Sequence, residues 1–147
     1  MAVVRLWGKL ADKRSWILTT KLSIALLAVC HTMWAFIDMK TYTVLMPLSN
    51  IIAGVAWAGI GISLFSIQFM FSPEDGRTVY VGFGAALGGI VGFASSLLGS
   101  VIVGALAALK FNLLGIIIGN MQVVFFISGI LLTVCAAYIH YFIKKSE

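Results

Sequence analysis

The chain has 147 residues, of which 61% are hydrophobic and 10% charged, with a formal net charge of +5 and a mean hydropathy of +1.08. A soluble domain of this size must leave a large share of its side chains in water, and too few of these are polar. Lipid is therefore the expected solvent, and the expected class is an all-α integral membrane protein forming a single membrane region. The bases stand between apolar runs instead of alternating with aromatics on a polar face, which excludes nucleic acid as the partner and points to orientation of membrane spans.

The stretch "WGKLADKRSW" (7–16) gathers one acid and three bases near the start of the chain, and residues 1–15 read as a cytoplasmic loop. No secretory signal is expected, because "MAVVRLWGKLADKRS" lacks an apolar core of the needed length before its charges. The first spanning helix is expected over 16–37, with Lys21 near its start, where its stem reaches back to the surface. His31 falls in mid-span. A histidine there can relay protons, but a hydrogen bond to nearby backbone is the simpler role. Cys30 in this run and Cys135 in the last read as buried free thiols.

A short turn, "DMKTY", leads to a second span over 44–71. Pro47 falls near its start, where a missing N–H costs little. Asn50 and Gln68 are 18 residues apart, or five full turns, and so point the same way. Gly54, Trp57 and Gly61 fall within about 40° of that direction. A polar and aromatic face is expensive in lipid unless it meets a cavity or another polar group, which makes Asn50, Trp57 and Gln68 candidates for substrate contact.

In "FSPEDGRTVY", Ser72 fits an N-cap and Pro73 a first helical position, while Glu74 and Asp75 suit the positive end of a helix dipole. A third span follows over 77–109. It carries small residues at every fourth position, Gly84, Gly88, Gly92, Ser96, Ser100 and Gly104, a stripe suited to close helix packing. The segment "KFNLLGIIIGN" is apolar but punctuated by glycine and asparagine, and reads as a loop in the membrane interface. Asn120 then fits the cap of a fourth span over 121–143.

Four spans place both termini on one side. Arg5, Lys9, Lys13, Arg14, Arg77, Lys144 and Lys145 fall on that side, against Lys40 and Lys110 on the other. This bias predicts cytoplasmic termini in a cell membrane. No acid lies deep in a span, and no nucleotide loop, catalytic triad or metal cluster is present. Neither an enzyme nor a metal or other cofactor is expected.

Gly8, Leu10, Ala11, Asp12 and Lys13 in "GKLADK" resemble the motif G-x-L-A-D-[RK]-x-G-[RK] of the major facilitator superfamily. Ser15 stands where that motif has glycine and Trp16 where it has a base, with Arg14 supplying a base from a shifted position. Followed by helix, outer turn, helix, "SPEDGRT" and a glycine-rich helix, the order resembles helices nine to twelve of a twelve-helix transporter of this superfamily, with "MAVVRL" as the tail of helix eight. The same order also fits helices three to six. Against that, the second span lacks the arginine usual in the fourth helix, and the third lacks the Gly-Pro pair usual in the fifth.

The resemblance implies a C-terminal part of a secondary active transporter that moves a small solute by alternating access. It gives Asp12 the role of a conformational latch, assisted by Gly8, Lys13 and Arg14. It places the second span on the substrate cavity and makes the missing N-terminal helices the expected partner, beside the bilayer and the solute. Two other classes fit the residues: a small four-helix exporter acting as an oligomer, and a non-transporting membrane subunit that packs on a partner.

Overall fold

The computed structural model describes residues 2–108, 111–113 and 116–143. Leu109, the expected end of the third span, and the bases Lys110, Lys144 and Lys145 lie outside the described residues. Among the described residues, four helical segments are long and apolar enough to cross a membrane: Trp16–Ala35, Tyr42–Phe71, Glu74–Ala105 and Asn120–Tyr141.

Ser15 sets where the first of these begins. Its backbone is extended (φ −174°, ψ 143°) and its Oγ accepts from Ile17 N at 3.1 Å, which is an N-cap. The stretch before it is itself helical, α1 (Ala2–Lys13), and this corrects the loop expected over 1–15. Val3, Trp7, Leu10 and Ala11 recur at helical spacing on one face, and Arg5, Lys9 and Asp12 on another. A reading weighted to the charges overlooks that period. Arg14 and Ser15 alone join α1 to α2 (Trp16–Ala35).

The turn between α2 and the next helix closes on Asp38, whose carbonyl accepts from both Thr41 N and Tyr42 N at 2.9 Å. Helix α3 runs Tyr42–Phe71. Pro47 is therefore its sixth residue, past the first turn, and has no N–H to offer the Thr43 carbonyl. At the other end Ser72 Oγ donates to Gln68 O, so Ser72 closes α3 instead of capping the next helix. A 3-10 turn at Glu74–Gly76 intervenes before α4 (Arg77–Ala105).

The expected interfacial loop contains a short antiparallel hairpin, β1 (Phe111–Leu113) with β2 (Ile116–Ile118), in which Phe111 pairs with Ile118 and Leu113 with Ile116. Pairing removes the cost of bare backbone in apolar surroundings. Gly119, not Asn120, is the cap position of α5 (Asn120–Tyr138), and Gly119 N donates to Gln122 Oε1 at 3.1 Å. Asn120 Nδ2 instead reaches back to Val103 O at 3.1 Å and ties α5 to the end of α4. A π-helical turn, Ile139–Ile143, follows α5.

Helix α2 is central, with α3 and α5 packed on it, and α4 lies at the edge. Leu27, Ala56 and Ile60 form an apolar core. Around it the contacts are built from small residues whose hydroxyls bond back into their own helix: Thr19 Oγ1 to Ser15 O at 3.1 Å and Ser23 Oγ to Thr19 O at 2.8 Å. Such bonds hide polar atoms and let backbones approach closely. A Cβ at Gly59 would overlap Ser23 Oγ, and one at Gly129 would lie 2.8 Å from Thr32 Oγ1.

The expected stripe of α4 is not where the close packing occurs. Nothing approaches within 4 Å of a Cβ at Gly88, Gly92 or Gly104, and Ser96 and Ser100 are exposed. Of the stripe residues, Gly84 faces a neighbour, the Gln68 amide. Helix α4 has no buried residue at all. Cys30 is buried and its Sγ donates to Ser49 O at 3.2 Å, whereas Cys135 is exposed, which corrects the second buried thiol.

Candidate functional site

Helix α3 presents two faces that differ in chemistry and in what covers them. Ser49, Ala56, Gly59, Ile60 and Ser63 are buried. The direction shared by Asn50, Gly54, Trp57 and Gly61 lies about 120° away around the helix. That side is bare: Gly54 and Gly61 have nothing within 4 Å, and Asn50 and Trp57 are exposed, Trp57 at 60%. Asn50 is held by its own helix, Nδ2 donating to Met46 O at 2.8 Å. Gln68, at the far end of the same line, is half-buried and meets Gly84 of α4. The structure therefore brings Asn50 and Trp57 together on an open face and places Gln68 in a helix contact.

The motif residues ride on α1 and its turn into α2. Trp7 and Ser23 each stand eight residues from Ser15, and both reach Gly59, so α1 and α2 form an antiparallel helical hairpin against α3. Trp7 Nε1 donates to Val55 O at 2.8 Å. That carbonyl belongs to the turn closed by Gly59, whose missing side chain clears the approach. Gly8 also faces α3, a Cβ there lying 3.6 Å from Ile62 Cδ1. Asp12, Lys13 and Arg14 are exposed at the turn.

His31 makes the expected hydrogen bond to nearby backbone. Its Nδ1 donates to Leu27 O at 2.9 Å, and its ring lies 6.0 Å from that of Phe125. Among the described residues no group of three His, Cys, Asp or Glu side chains gathers to hold a metal ion.

No family model, curated protein or solved structure matches the chain.

Two features escape a reading by motif. The first is the junction of Trp7, Ser23 and Gly59. The second is a bond across the bundle from Lys21 Nζ to His140 Nδ1 at 2.8 Å, which joins the start of α2 to the turn after α5. The signal for the junction was present as small residues four apart, Thr19 with Ser23 and Gly59 with Ser63. For Lys21 and His140, 119 residues apart, no local pattern exists.

Proposed function

We propose that the chain supplies the last four spanning helices, nine to twelve, of a secondary active transporter of the major facilitator type. It sits in the cell membrane with both termini cytoplasmic and moves a small solute by alternating access. The observation that carries this reading is the bare face of α3: Asn50, Gly54, Trp57 and Gly61 are uncovered, and a polar face at membrane depth calls for a cavity. In this fold such a face lines a site shared between two rocking halves. The exposure of Asp12 at the α1–α2 turn supports the latch, since a carboxylate there is available to the N-terminus of a helix from the other half.

Reconstitution tests the proposal. The chain alone in liposomes under a proton gradient takes up nothing, and co-expression with the first eight helices of a matching transporter gives saturable uptake. Gradient-dependent, saturable uptake by the chain alone overturns the reading and favours a small oligomeric exporter. The uncovered α4 favours a second reading, a membrane subunit that packs this helix on another chain. Stable co-purification with a partner, without uptake in the co-expression assay, supports that one.

A further inference from the structure

The Lys21–His140 bond floors a cleft of about 320 Å³ between the start of α2 and the end of α5. Its polar lining includes Arg14, Lys21 and His140, its apolar walls are Ile17, Leu18 and Ile139, and among the described residues no acid lines it. Lysine has only protons to give, so His140 Nδ1 is the acceptor, and among the described residues the other two N–H groups of Lys21 have no hydrogen-bond partner. Arg14 is exposed, and its planar fork suits two oxygens of one phosphate. The first turn of α2 adds its positive dipole end to the same place. The backbone beside His140 is a π-helical turn, a local departure from the α-helix that often marks a functional site.

The cleft thus pairs a cationic floor with apolar walls at a membrane boundary. A free anion uses only the first of these. An amphiphile uses both, and basic pockets between spanning helices are known seats for lipid headgroups. We propose that this cleft binds the phosphate of an anionic phospholipid, with Arg14 and Lys21 on its oxygens and the acyl chains along Ile17, Leu18 and Ile139. The lipid joins the first and last spans at one end of the bundle.

Native mass spectrometry of the purified chain in detergent tests this with three probes: phosphatidylglycerol, phosphatidylcholine and inorganic phosphate. The chain retains phosphatidylglycerol in preference to phosphatidylcholine, whose choline would face the two cations. Arg14→Gln with Lys21→Gln weakens retention about tenfold or more, whereas Lys40→Gln at the opposite end leaves it unchanged. Equal retention of the two lipids, or equal retention by the parent and the double variant, overturns the proposal. Displacement of the lipid by millimolar inorganic phosphate overturns it in favour of a free-anion site. If the double variant does not insert, Arg14→Gln alone is measured, and unchanged retention then overturns the proposal.

Discussion

Trp7 donates its indole N–H to the carbonyl of Val55 at 2.8 Å, 48 residues along the chain. The bond exists because Gly59, one turn beyond Val55, has no side chain. A Cβ there would lie 2.8 Å from Trp7 Cε2 and would also overlap Ser23 Oγ. One missing methyl group thus lets α1, α2 and α3 meet, and it fixes the helix that carries Gly8, Asp12 and Lys13.

The smallest substitution is therefore expected to be felt. Gly59→Ala forces Trp7 or Ser23 to move and costs about 1–3 kcal/mol by overpacking. Gly61→Ala, two residues on and in open space, serves as the control and is neutral or slightly stabilising through helix propensity. Heat-induced aggregation in detergent compares them. Equal midpoints for the two variants would remove Gly59 as the junction.

A second comparison separates the stripe a reader sees in the sequence from the contacts the fold uses. Gly129→Ala sets a methyl group 2.8 Å from Thr32 Oγ1 and 3.4 Å from Thr32 N, at the α2–α5 contact. Gly92→Leu adds a much larger side chain where nothing lies within 4 Å. In the isolated chain the small change lowers the melting midpoint and the large one does not. If Gly92→Leu proves the more harmful, α4 packs differently from the structure.

Orientation is tested with single cysteines after Cys30 and Cys135 are replaced. Thr41 lies in the turn between α2 and α3, and Gly76 in the turn before α4, at the opposite end. Thr41→Cys reacts with an impermeant thiol reagent in whole cells, whereas Gly76→Cys reacts only after the membrane is opened. The reverse pattern places the termini outside and contradicts the orientation read from the bases.

What was legible in the sequence follows from what controls each feature. Lipid demands long unbroken apolar runs, so the existence and order of the four spans could be read directly. Helix ends depend on which neighbour takes each backbone group. Ser72 could cap either helix beside it, and only the Gln68 carbonyl decides. Asn120 has a competing partner in Val103 O, which periodicity cannot reveal. The stripe on α4 was conspicuous because it is long, yet pairs of small residues matter only where two helices cross. Those crossings, Gly59 with Ser23 and Gly129 with Thr32, involve residues far apart in the chain. The polar line on α3 was readable as a direction, because helical geometry alone fixes it. Its covering was not, since α4 reaches Gln68 and stops short of Gly61.

The bare face of α3 is proposed to border water inside a larger assembly. Single cysteines at Gly54, Gly61 and Leu48, introduced after Cys30 and Cys135 are replaced, test it in the cells' own membrane with a small water-soluble maleimide. Gly54 and Gly61 stand in open space on the polar face, and Leu48 is 46% exposed on a side about 160° from Asn50 and about 120° from Gly54. Gly54→Cys and Gly61→Cys are expected to react, since a thiolate forms readily only where water reaches, and Leu48→Cys, on the far side of the helix, is not. Protection of Gly54→Cys and Gly61→Cys, or equal labelling of all three, would contradict that proposal.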